Sequence, residues 1–276
     1  VIVDPVELVR QVQTQVVWST VVSVLDGTKL YVHVLHDALK FDRIPEINYR
    51  RKVVDVSTVY DSVRLPATAK ELQQIADMVD CYLLTPKVVD LIWRQAGTRI
   101  NSVVNAGPPK YQIAATSNVT LIHQRIEKDL AQAHVVDAAA PIACVGKYWV
   151  ITKKLLKEAY VDGEPGACNY GWYTTSSAAG PAISLGNYCY QRPGYKHNFS
   201  HVDPSQTIRL MYRYGRLELP DGTKLDIDLQ EVASDPYLHS LISHEGELSS
   251  LRQPGVPKQT CLGLYTRPLL VRDLSC

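Results

Sequence analysis

Apolar residues recur every three to four positions through the middle of the chain, and at every second position or in short runs on either side of it. Over residues 68–79, Leu72, Ile75, Ala76 and Val79 share one helical stripe, and Thr68 with Glu71 three residues on makes a capping box. Pro86 opens a second helix whose inner face is Val88, Val89, Ile92 and Trp93; the short link between the two predicts an antiparallel helical hairpin. A third helix is expected from Ser117 to about Ala133, with Val119, Ile122, Ile126 and Leu130 facing inward. Before it, the run Asn105 to Lys110 holds two prolines and a glycine and is a loop.

The flanks follow a strand pattern. Residues 21–34 predict a hairpin, with Asp26-Gly27 supplying the positive-φ positions of a tight turn. The same residues return in Pro220-Asp-Gly-Thr-Lys-Leu-Asp-Ile227, as shared turn chemistry rather than a repeated domain. Residues 5–17 fit a short amphipathic helix or the first part of an edge strand. From position 143 the texture is β: segments 143–152, 169–174, 187–190 and 206–214 are strand-like, followed by the hairpin at Asp221-Gly222 and a helix near 234–243. Strands, then helices, then strands predict an α+β fold with a mixed or antiparallel sheet. No Pro/Ser/Gly linker divides residues 1–276, so a single domain is expected.

Charge and cysteines narrow the setting. The net charge of +1, without a basic run, gives no electrostatic basis for nucleic acid or an anionic membrane as partner. The longest apolar run, residues 16–25, is broken by hydroxyls and falls short of the roughly 18–20 residues a bilayer span requires. The sequence starts at Val1 rather than Met, in keeping with removal of a signal peptide or with a cloning boundary, the former being favoured. Six cysteines, none in a CxxC pair, suggest disulfides, with Cys168–Cys189 and Cys261–Cys276 as expected pairs and Cys81 and Cys144 paired or left as thiols. Asn118 and Asn198 both satisfy the N-glycosylation pattern. Together these predict a secreted protein.

The densest polar chemistry is Gly194 to Gln206. If residues 199–205 are extended, His201, Asp203 and Ser205 point to one face. Aspartate in the middle makes a poor triad, because the histidine must stand between nucleophile and carboxylate, so a second histidine, His197 or His123, is needed. The structural alternative is an Asx turn at Asp203-Pro204-Ser205. Zinc on His197, His201 and Asp203 would require the loop to bend, since an extended strand holds the two histidines about 13 Å apart; no cofactor is otherwise indicated. Lys147, on an apolar strand, is a candidate oxyanion stabiliser or lowered-pKa base, or else a strand-end lysine with its head in water. Sixteen tyrosines against two phenylalanines suit recognition of a sugar or peptide, with Tyr170, Trp172, Tyr190 and Gln206 as substrate-binding candidates, or simply cross-strand packing. His33 and His36 fall on opposite strand faces; His239 and His244 are expected on a helix surface.

Four blocks in the same order resemble a family of bacterial secreted proteins of unassigned function: Leu84-Thr85-Pro86, Gly146-Lys147-Tyr-Trp-Val-Ile-Thr152, Tyr170-Gly171-Trp172 and Val202-Asp203-Pro204-Ser205-Gln206-Thr-Ile-Arg209-Leu210. Pro204 stands where that family has tyrosine, Gln206 where it has histidine, and aromatics follow Lys147. The resemblance implies a fold grouping and a polar site, not an activity. The residues themselves predict a secreted hydrolase acting on an extracellular peptide or polysaccharide of a cell wall or matrix, through His201, Asp203 and Ser205 with Lys147 and His197. A non-catalytic glycan- or protein-binding module is the alternative.

Overall fold

The structure is a computed structural model and describes residues 1–11, 16–48, 50–100, 119–158, 160–174, 182–184 and 187–263; at 121, 158, 174, 182–184 and 187–190 the description is of the backbone. Six α-helices lie among the described residues: α1 (Pro5–Gln11), α2 (Ala69–Met78), α3 (Pro86–Gln95), α4 (Val119–Ala131), α5 (Lys153–Glu158) and α6 (Leu229–Ser234). The larger sheet is antiparallel. It contains β1 (Trp18–Leu25), β2 (Thr28–Leu35), β7 (Cys81–Leu83), β15 (Leu210–Tyr212), β16 (Tyr214–Glu218) and β17 (Lys224–Asp228), in the order β17-β16-β2-β15-β7 with β1 also on β2.

The smaller sheet runs β10 (Lys147–Trp149), β12 (Glu164–Thr174), β14 (Asn187–Asn198), β13 (Ala182–Ser184), with β11 (Tyr160–Val161) on β12. Three two-stranded pairs complete the mixed α+β architecture: β3 (Lys40–Phe41) with β6 (Val63–Arg64), β4 (Ile44–Ile47) with β5 (Val53–Tyr60), and parallel β8 (Thr98–Arg99) with β9 (Ile142–Ala143).

Local chemistry accounts for most of these elements. Asp26 and Gly27 take φ of 48° and 83°, the turn that the twist of β1 and β2 demands. The second copy of that turn joins β16 to β17. Because β16 lies along β2, the two turns touch, and Lys29 pairs with Glu218 at 2.7 Å. Thr68 and Glu71 form the expected capping box of α2. The link from α2 to α3 is more than a turn. Residues 81–83 are β7, pairing with β15, so the expected helical hairpin is interrupted by a strand with Cys81 and Leu83 buried.

Two other boundaries move. The helix expected near 234–243 lies earlier, as α6. Asp228 caps its start, and at Asp235-Pro236 the Asp235 side chain accepts the amides of Tyr237 and Leu238, leaving only a 3-10 turn at Leu238–Leu241. The 143–152 segment is broken at Cys144, where φ is 69°. Of the third helix, Val119, Ile122 and Ile126 are buried as expected; Ser117 and Asn118 lie outside the described residues.

One apolar core runs continuously through the elements of both sheets. The two sheets are joined by parallel bridges, Leu84 to Val150 and Lys147 to Gln206. Fully buried Arg209 reinforces the seam. Its guanidinium donates to the carbonyls of Leu35, His36 and Ile142 and to the Tyr148 hydroxyl, at 2.6–3.1 Å.

Candidate functional site

The site begins with β10 and the two segments beside it. Gly146 allows residues 205–207 to run close by, since a Cβ there would stand 2.4 Å from Thr207 Oγ1. Lys147 then bridges Gln206 on one side and pairs with Gly171 on the other, while Trp149 pairs with Asn169. Alternation therefore puts Lys147, Trp149, Asn169 and Gln206 on one face of the sheet, and Tyr148 and Tyr170 on the opposite face. A bulge at Gly171 (φ 114°) and Trp172 (φ 61°) breaks that alternation. Trp172 consequently lies under the Lys147 ammonium, 5.3 Å from ring centroid to nitrogen, while Tyr170 and Tyr173 share the other face.

The 199–205 stretch is not extended. β14 continues to Asn198, which places His197 on a strand, and a turn follows in which Asn198 accepts the Ser200 amide at 3.2 Å through its side chain and the His201 amide at 3.2 Å through its carbonyl. The chain doubles back, so His201 stacks on His197 with ring centroids 3.8 Å apart and planes 11° apart. Trp149 meets His197 edge-on at 6.3 Å. The expected alignment of His201, Asp203 and Ser205 on one strand face is thereby replaced by a folded cluster. Ring nitrogens in parallel stacked planes do not converge on one ion, so zinc would require one imidazole to turn.

Asp203 joins this cluster to Lys147. Its Oδ2 accepts from Lys147 Nζ at 2.7 Å, and its Oδ1 accepts the Ser205 amide at 2.8 Å and the Ser205 hydroxyl. Burial raises the Asp203 carboxyl, but the Lys147 charge and these hydrogen bonds outweigh it and hold the group below the usual carboxylate range. Burial lowers both imidazoles, with Lys147 adding to the effect, so both are neutral at pH 7. Lys147 is thus buried and paired rather than a strand-end lysine with its head in water, and Asp203 both pairs with it and forms the Asx turn. Ser205 is 3% exposed and donates to a carboxylate, which does not suit a nucleophile.

Gln206 is fully buried beside Lys147, and neither its Oε1 nor its Nε2 finds a hydrogen-bond partner among the described residues; Asn169 Oδ1 on the same face and Thr207 Oγ1 share that condition.

His123 stands elsewhere. On α4 it faces Arg64, whose guanidinium binds Asp37 and Glu127, each at 2.5 Å. Burial, then Arg64, push its imidazole down to about 4. It belongs to a structural ion network and not to the Lys147 cluster. Tyr170 also leaves the proposed substrate face: it is buried and donates to Asp90 at 2.7 Å. Tyr173 donates to the same carboxylate, and His244, expected on a helix surface, meets it at 3.4 Å. These three partners are 80 or more residues from Asp90, so no local pattern could have revealed them. The Tyr190 side chain lies outside the described residues.

The cysteines correct the expected framework. Cys168 is a free buried thiol, pushed up to about 12 by burial. The β12–β14 register sets Cys189 opposite Tyr173, which is five positions from Cys168 and so about 16 Å along the strand, beyond the roughly 7 Å limit for a bridge. Cys81 and Cys261 are likewise free thiols, and Cys276 and Asn118 fall outside the described residues.

Comparison with family models, with curated proteins and with solved structures finds no match. The resemblance of the four blocks rests on those blocks alone.

Proposed function

We propose that the chain is an extracellular hydrolase acting on a peptide-like carbonyl in a wall or matrix polymer. The observation that supports this most is the stacked His197–His201 pair, half-buried and neutral, held beside the buried Lys147–Asp203 ion pair. In this reading His201 accepts a proton from water as the water oxygen attacks the carbonyl carbon. Lys147 offsets the charge that develops on the carbonyl oxygen, and His201 returns the proton to the leaving nitrogen. Asp203 fixes Lys147 in place, and His197 fixes the His201 ring. A carbonyl suits this set better than a glycosidic bond, whose hydrolysis generally needs two carboxyl groups, because the cluster holds one carboxylate and it is ionised and fully engaged.

The test is turnover of peptides, peptide esters and wall fragments by the purified chain, with His201→Asn alongside. The expected loss in His201→Asn is about 10²- to 10⁴-fold in kcat/KM with the melting temperature held. Rate should climb with pH through an imidazole pKa below its usual value. Unchanged turnover in His201→Asn would sink the reading. The second reading, a non-catalytic binding module, is favoured by one observation: Ser205 and both oxygens of Asp203 are occupied by local contacts. It predicts retention of such a polymer without cleavage.

A further inference from the structure

A cleft of about 400 Å³ lies on the opposite side of β12, within the size range of small-molecule sites. It runs along α3, from Pro86 through Asp90 to Arg94 at four-residue spacing. Ile151, just past β10, and Tyr170, Arg192 and Pro193 from the smaller sheet form one wall, and Ser243, His244 and Glu245 close it. Its two acids already have partners. Asp90 accepts from Tyr170 and Tyr173 and faces His244, while Glu245 accepts the Lys153 amide. Its two arginines do not: the side chains of Arg94 and Arg192 make no hydrogen bond or ion pair with any described residue. The cleft therefore presents two fork-shaped cations beside apolar walls, Arg94 from the last turn of α3 and Arg192 from β14.

We propose that this cleft binds a small organic oxyanion, a carboxylate or phosphate carried on an apolar body, through Arg94 and Arg192. The anion is held by the guanidinium forks and the body lies against Pro86, Ile151 and Pro193. The site is separate from the His197–His201 face, so it stands or falls independently of the hydrolase reading.

Calorimetric titration of the full chain with phenyl phosphate and with N-acetylphenylalanine tests it. At least one should bind with a millimolar or tighter dissociation constant, and the better of the two identifies the anion as phosphate or carboxylate. Arg94→Gln and Arg192→Gln should each weaken that binding about tenfold. Both positions are exposed, so both variants should keep their melting temperature. Arg125→Gln, on α4 and paired with Asp129, should bind like the parent chain, and so should His201→Asn. The proposal is overturned if neither probe binds at millimolar concentration, or if the two arginine variants bind as well as Arg125→Gln does.

Discussion

The two faces of β12 hold one aspartate each, and the two aspartates are stabilised by opposite means. Asp203 is matched by a permanent charge: Lys147 is almost wholly buried, and its ammonium has Asp203 at 2.7 Å and the Trp172 ring beneath it. Asp90 is matched by neutral hydroxyls from Tyr170 and Tyr173 and by an imidazole, His244, half of which is exposed to solvent. A buried charge left alone costs far more than a buried hydroxyl left alone. The same chemical change should therefore have unequal consequences on the two faces.

The largest effect is expected from Asp203→Asn. The amide keeps room for the Ser205 contacts but leaves Lys147 charged and unpaired in the interior, at a cost of about 3–5 kcal/mol. Asp90→Asn leaves only neutral groups and a solvated imidazole to adjust, and should cost about 1–2 kcal/mol. Urea unfolding of both variants makes the comparison directly. Equal losses would mean that the Lys147–Asp203 pair is not the anchor of its face. The double change Lys147→Met with Asp203→Leu should recover most of the Asp203→Asn loss, because it removes both charges together.

His123 sharpens the contrast from outside both faces. Its imidazole titrates at about 4 in the folded chain and near 6.5 when unfolded. Between those values the unfolded chain binds a proton that the folded chain refuses. Its contribution is thus complete above about pH 6.5 and is lost as pH falls toward 4, by up to about 3 kcal/mol. Melting curves at pH 7.5 and pH 4.5, for the parent chain and His123→Gln, isolate the effect from that of the other histidines. The variant should lose less on acidification; an identical fall in both would rule out His123 as the source.

A smaller effect separates the two hydroxyls on Asp90. Tyr170→Phe removes one of the donors to the carboxylate and should cost about 1–2 kcal/mol, since the others remain. Tyr173→Phe should cost a similar amount while keeping the ring stack on Trp93 at 4.9 Å. Losses that add without coupling in the double variant would show that the two donors act separately.

The sequence carried one face far better than the other. The cues for α2, α3, the Asp-Gly turns and the α+β class are all local: a capping residue, a proline at a helix start, an alternation. His197, His201 and Asp203 were also legible, because they sit within seven residues of one another. Their arrangement was not, because it depends on a backbone turn at Asn198 that an extended reading suppresses. Trp172 and Tyr170 looked equivalent on a strand, yet the Gly171 bulge sends them to different faces. Asp90 and His244 had no signal at all: each is ordinary in its own helix or turn, and only packing across some 150 residues brings them to 3.4 Å.

Gln206 supplies the finest test of what the His197–His201 face is for. It is wholly buried next to Lys147, and both polar atoms of its amide lack a partner among the described residues. Leaving such a group unsatisfied costs about 1–3 kcal/mol, so a core selected for stability alone would favour an apolar side chain of the same length. Gln206→Met should accordingly be neutral or raise stability by about 1 kcal/mol, the reverse of the aspartate and tyrosine changes above. If the amide holds water or substrate for the neighbouring imidazoles, the same variant should lose turnover, or polymer retention, while melting no lower than its parent. A variant that both unfolds earlier and loses function would instead make Gln206 a structural residue, and would leave the Lys147 face without its polar floor.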